Sequence, residues 1–339
     1  MISCPVAELE VSEFVYDGTN KIPRVVVKDT EGNLIDETYY KVSYPFEPYI
    51  AMDVGRYTVA IEFTGIYKGK TQLNYVIVPL KLSEKNVKLH MAKLTYTGKT
   101  AIPPVEVTNV NGTFLTENKD YTVVYSVNNP TKVGRYYVKV NFKGNYSGTV
   151  KKYFTIVPAV PKTAKAELYG YDDVKFTWSK STGATGYDVY FKKKSAAKFT
   201  YLGSTTNRYY KKANLADGVS YVFKVVPYYK YNGVKYKTTV VKTAGIYTLK
   251  KINTPTVTKI NSNRANIKWI HINGATGYEV SRTTKKNGTN VIAQVDVANK
   301  KINVTKGKTY YCKVRAYYIT GTGKKINGPW STPKKYVAK

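Results

Sequence analysis

Apolar and polar residues alternate with a period of two through most of this chain, and glycine turns separate the alternating runs. Val174, Phe176 and Trp178 alternate with polar neighbours, as a strand with one buried face requires. Gly183-Ala-Thr-Gly186 follows and supplies turn positions with positive φ. Tyr187, Val189 and Phe191 then alternate again. The same unit returns 91 residues later as Ile267, Trp269, Gly274-Ala-Thr-Gly277, Tyr278 and Val280. Upstream, Tyr57, Val59, Ile61 and Phe63 alternate, and so do Tyr136, Val138, Val140 and Phe142. Few stretches hold apolar residues at helical spacing over three turns, so the pattern predicts an all-β chain.

The alternation is organised into repeats. Tyr16-Asp-Gly18, Ile22-Pro23, Tyr40-Lys-Val42-Ser-Tyr44, Val54-Gly55-Arg56-Tyr57, Gly65-Ile-Tyr67-Lys-Gly69 and Ile77-Val78-Pro79 recur in order 79 to 81 residues further on. The later copies run from Tyr96-Thr-Gly98 to Ile156-Val157-Pro158. Proline fits at a strand entry, where its missing N–H costs little. The expected domains are 1–80, 81–158, 159–249 and 250–339. The joints Val157-Pro-Ala-Val-Pro-Lys162 and Lys250-Lys-Ile-Asn-Thr-Pro255 are short and proline-bearing, which limits bending. Four such domains end to end predict an elongated rod on the order of 130 Å.

The first two repeats resemble the short immunoglobulin-like or grasp-like β repeats (MBG-type) of large surface and secreted proteins of Gram-positive bacteria. The last two each add an apolar residue, a turn glycine and a tyrosine: Leu215, Gly218, Tyr221 and Val304, Gly307, Tyr310. With the early tryptophan, this resembles a fibronectin type III module. The resemblance implies four tandem β-sandwich modules. It also implies that Trp178 and Trp269 are core residues and that Tyr221 and Tyr310 are tyrosine corners, whose hydroxyls bond back to the main chain. The Arg-Gly-Asp tripeptide of integrin-binding modules is absent.

Charge changes the picture. The 339 residues carry 54 Lys and Arg against 22 Asp and Glu, a formal net charge of +32 spread over the whole length. One reading is a lysine surface that keeps edge strands from pairing between molecules. The other is attraction to a polyanion such as an acidic cell-wall polymer or glycan. Dispersed lysines do not predict a specific nucleic-acid interface, which gathers basic residues on one face. The two cysteines, Cys4 and Cys312, fall in the first and last domains and are not expected to pair. No run of 18 apolar residues occurs, so no membrane span is expected. Met-Ile-Ser-Cys-Pro at the start has neither the basic start nor the apolar core of a secretory leader. The chain is therefore expected to be a piece of a larger exported protein, or to reach its place by another route.

Catalytic chemistry is not expected. His90 and His271 lie in different domains, and Cys312 sits at an inward position between Tyr310 and Val314 on a strand. Asp172-Asp173 is a lone acidic pair, and no calcium-loop, phosphate-loop or other cofactor motif occurs. Tyrosine stands out, with 34 residues. Adjacent couples such as Tyr209-Tyr210, Tyr228-Tyr229 and Tyr317-Tyr318 place one ring on each sheet face. Tyr228, Tyr229, Tyr317 and Tyr318 are thus the candidate glycan or polyanion contacts, with simple sheet stabilisation as the alternative. The leading functional expectation is a non-enzymatic extracellular scaffold or adhesion segment of a bacterial surface, linked to other domains of a larger chain. The alternatives are a bacteriophage decoration or fibre protein in a virion shell, which the Met1 start favours, and an accessory carbohydrate-binding portion of a secreted enzyme.

Overall fold

The computed structural model describes residues 5–44 and 51–339; Cys4 lies outside them. Among the described residues nearly all regular structure is strand, with two single-turn 3-10 elements, Glu37–Tyr39 and Glu84–Asn86. The chain divides into two compact units. One comprises Met1–Leu94, Thr100–Pro130 and Arg135–Thr155; the other comprises Thr95–Lys99, Thr131–Gly134 and Ile156–Lys339.

The described residues up to 157 hold two copies of one arrangement. A four-stranded sheet runs Tyr40–Ser43, Gly55–Phe63, Gly69–Val78, Glu13–Val15 in the first copy. The second copy runs Tyr121–Tyr125, Gly134–Phe142, Thr149–Val157, Lys93–Thr95. The long hairpin is antiparallel and the Glu13–Val15 edge is parallel. Its inward positions behave as the alternation requires: Val59 and Ile61 are buried, as are Val138 and Val140. A two-stranded ribbon, Val6–Leu9 with Val25–Lys28, brings Val25 and Val27 onto Val59 and Ile61. Val87–Leu89 with Val105–Val107 does the same over Val140 and Phe142. Tyr57 stacks on Tyr75 at 5.4 Å, and Tyr136 on Phe154 at 5.6 Å.

The second unit contains two antiparallel sandwiches built alike. Ala164–Leu168, Val174–Trp178 and Tyr209–Lys212 form one sheet. Thr200–Thr205, Gly186–Lys193 and Ser220–Tyr231 form the other, and the long last strand also pairs with Val234–Lys237 and Lys242–Tyr247. The C-terminal sandwich repeats this with Thr256–Asn261, Arg264–Lys268 and Asn299–Asn303 on one side. On the other side are Val291–Val295, Gly277–Thr283 and Thr309–Ile319, the last carrying Lys325–Asn327 and Lys334–Val337. Phe176, Val189, Phe223 and Val225 fill the first core, and Ile267, Val280, Cys312 and Val314 the second. The two cores are continuous, because the joint contributes Leu249 (0% exposed) and Ile252 (2%) to the same cluster.

Candidate functional site

The tryptophans and corner tyrosines singled out from the sequence are all buried. Trp178 packs its ring 5.1 Å from Phe176 and 5.3 Å from Tyr187. Trp269 lies 5.4 Å from Tyr278. Both tryptophans are buried, and both indole N–H groups lack a hydrogen-bond partner. The Tyr221 hydroxyl accepts the Ala216 N–H at 3.1 Å, and the Tyr310 hydroxyl accepts the Thr305 N–H at 3.0 Å. Each bond runs back five residues and ties the corner to the strand that follows it.

The tyrosine couples split as strand alternation demands. Tyr221, Phe223 and Val225 point into the core, so Tyr228 takes the outer face; Tyr310, Cys312 and Val314 likewise leave Tyr317 outside. Yet Tyr228 is buried and Tyr317 half-buried. The reason stands directly across the sheet. Tyr228 pairs with Gly186 and Tyr317 with Gly277. Each ring lies over the bare glycine, and a Cβ there would come within 2.4 Å and 2.5 Å of the two hydroxyls. The outer face of each ring is then capped by an ammonium group, Lys235 at 4.0 Å and Lys325 at 4.4 Å from the ring centres. Tyr229 stacks on Tyr231 at 6.5 Å, and Tyr318 packs against the core. For Tyr228 and Tyr317 the expectation that the outward member of a couple faces solvent is thus corrected, whereas Tyr209 of the third couple is exposed. The glycine opposite leaves a hollow that the ring fills, and lysine stems cover it.

Alternation puts Asp188 and Glu279 on the outer sheet face, where polar residues are ordinary. Asp188 is 1% exposed and Glu279 5%. They occupy the same place in their sandwiches, two residues after the second glycine of the Gly-Ala-Thr-Gly turn. Asp188 receives Lys237 at 2.6 Å, Lys235 at 2.8 Å and the Ser204 hydroxyl at 2.5 Å. Glu279 receives Arg315 through Nη2 at 2.6 Å and Nε at 2.7 Å, and it also pairs with Lys325. Burial alone would raise both carboxyls, but the hydrogen bonds from these cations outweigh it and hold both below their ordinary values. An acidic residue recurring at a matched position, in a chain with few acids, was the signal available in the sequence.

Around each carboxylate the outer face is cationic and aromatic. Lys224 lies 4.4 Å from the Tyr190 ring centre and 4.3 Å from that of Phe199, and desolvation lowers its pKa. Arg315 and Lys313 lie 4.5 Å and 5.1 Å from the Trp330 ring centre. In the first unit Arg135 covers Tyr153 at 4.1 Å and Lys151 covers Tyr137 at 4.2 Å. Carboxylates each held by two cations are poor general bases. Burial pushes the Cys312 thiol up to about 11, so it is no nucleophile at neutral pH. His271 bonds the Tyr278 hydroxyl at 3.1 Å through Nδ1, and His90 lies 3.1 Å from Glu106. No group of three potential metal-ligating acids, histidines or cysteines occurs among the described residues. No helix among them is long and apolar enough to cross a membrane.

No family model matches the sequence, and no curated protein matches it. Among solved structures the chain is similar to the FN1–FN3 domains of chicken CNTN1, with 14% identity over 77% of this chain and 98% of that one, at a TM-score of 0.29. It is also similar to a two-domain fibronectin type III segment of chicken tenascin, with 16% identity over 53% of this chain and 97% of that one, at a TM-score of 0.25. A third, FN3tt, is 22% identical over 28% of this chain and 97% of that one, at a TM-score of 0.24. The strand order seen here, three strands against a sheet centred on the long Ser220–Tyr231 or Thr309–Ile319 strand, defines an all-β chain with fibronectin type III-like sandwiches.

Proposed function

We propose that the chain is a non-enzymatic modular scaffold or adhesion segment that works outside the cell and touches an anionic wall polymer or glycan through its lysine-rich sheet faces. Its four proposed modules are 1–80, 81–158, 159–249 and 250–339. The observation that supports contact with anions is the repeated outer face: one buried carboxylate, two cations spent on it, and further lysines laid over aromatic rings with no carboxylate beside them. The tyrosines act in this reading as supports that hold ammonium groups in place. Tyr228 and Tyr317 carry Lys235 and Lys325, while Tyr229 and Tyr318 brace the strands beneath.

The test is retention on immobilised anionic and neutral polysaccharides as salt is raised. Attraction between exposed charges is screened over about 8 Å at physiological ionic strength. Retention on the anionic matrix should therefore fall steeply between low and high salt, with none on the neutral one. A chain that passes both matrices at low salt would have its charge only as a solubility device, and the role left to it would be that of a spacer.

A further inference from the structure

The first sandwich of the second unit has a cavity of ≈ 360 Å³ that neither the corner tyrosine nor the buried carboxylate needs. It opens where the end of the Gly186–Lys193 strand and the turn after it meet the strand Tyr209–Lys212 and the tyrosine corner. Its floor is apolar: Phe191 stacks on Tyr221 at 6.0 Å, and Leu215 is buried beside them. Its walls carry Lys192, Lys193, Lys198 and Lys212, and no lining residue is acidic. None of the four makes an ion pair with a described carboxylate, although other lysines of the same sandwich do. Lys192 is held in place, donating to the Ala196 carbonyl at 2.7 Å with its ammonium 5.2 Å from the Phe199 ring centre. Lys212 is half-buried on its strand.

We propose that this cavity binds the phosphate group of a sugar or polyol phosphate within an anionic polymer. Like charges gathered at the rim of one hollow repel each other and gain most from a single ligand of high charge density. Ammonium groups act as compact point charges and are common partners of the charge-dense phosphate group. The apolar floor suits the carbon skeleton that carries the phosphate, and the volume lies in the range of small-ligand sites. The matching corner of the last sandwich is built differently. There the Arg282 guanidinium lies 5.3 Å from the Tyr310 ring centre and donates to the Asn303 carbonyl. The site is assigned to the first sandwich alone. The inference rests on the polyanion reading and gives it a place and a chemistry.

The experiment is calorimetric titration of the full chain with a poly(glycerol phosphate) oligomer, alongside a polyuronate oligomer and free glycerol. Lys198→Gln/Lys212→Gln is compared with Lys259→Gln/Lys301→Gln, which removes the same charge from exposed strand positions of the last sandwich. Thermal unfolding confirms that both variants fold. The cavity pair should lower phosphate-polymer affinity by about tenfold or more, the control pair by much less, and Lys198→Arg should keep most of the binding. Equal losses from both pairs would overturn the cavity while leaving diffuse attraction intact. Tighter binding of the polyuronate would overturn the phosphate assignment. A wild-type chain that binds neither polymer at low salt would end the polyanion reading and this one with it.

Discussion

At the scale of single residues, the outer faces are governed by two bare glycines and two buried carboxylates. Gly186 exists to receive Tyr228, so Gly186→Ala should push the ring away and cost about 1–3 kcal/mol of stability by chemical denaturation. In a Tyr228→Ala background the same change should cost far less, because the atom it strikes is gone; a double-mutant cycle reads this coupling directly. Equal costs in both backgrounds would mean that the glycine serves only its backbone. Asp188 gives a dependence on pH. Its folded carboxyl is held below the ordinary value, so its contribution to stability is complete above the unfolded carboxylate range. That contribution is lost as pH falls through the depressed folded value. Asp188→Asn should cost about 1–3 kcal/mol near neutrality, less than a fully enclosed pair because Lys235 and Lys237 remain partly wet. The gap to wild type should close on acidification. These residues were hardly legible in the sequence. Alternation marks Asp188 as outward, and only the lysine side chains that reach across the sheet from the Val234–Lys237 strand make outward mean buried.

At the scale of elements, most of the fold could be read from alternation and turn chemistry, since Val59, Ile61, Phe176, Val189 and Val314 are all buried where the period of two puts them. The Gly-Ala-Thr-Gly turns were legible as turns but not in their second role. Gly183 and Gly274 have φ of +79° and +80°. Each is also the point where a side chain from elsewhere in the second unit arrives. A Cβ on Gly183 would stand 2.6 Å from the Tyr96 ring, and one on Gly274 would stand 2.5 Å from the Tyr247 Cβ. The sequence gives no sign of these contacts, because they join stretches that lie far apart along it or in different repeats. Gly274→Ala therefore meets both strain and collision and should lower stability by about 1–3 kcal/mol. Gly233, also at positive φ but with open space around it, should cost less on the same change. Thermal unfolding of the two variants side by side separates turn strain from packing.

At the scale of the whole molecule, the joints matter more than their proline content suggests. Lys250 and Lys251 look like an accessible protease site, and both are exposed. They are nevertheless pinned between Leu249 and Ile252, both in the continuous core of the second unit. The Leu249 N–H donates to the Tyr171 carbonyl at 2.8 Å, and Thr248 Oγ1 donates to the Ala216 carbonyl at 2.7 Å. Cleavage needs a stretch of backbone to leave its contacts, so susceptibility follows local opening and not exposure of the basic side chain. Trypsin should therefore cut the turn at Lys285-Lys286 before it cuts Lys250-Lys251, although both offer two adjacent lysines. Leu249→Ala removes a fully buried side chain at the joint and should cost about 2–5 kcal/mol. It should also bring cleavage at Lys250-Lys251 forward while leaving cleavage at Lys285-Lys286 unchanged. The measurement is the order in which fragments appear by mass spectrometry during limited digestion of the two proteins. Wild-type chain that is cut first at Lys250-Lys251 would mean that this joint is a free linker and that the two sandwiches hold together without it.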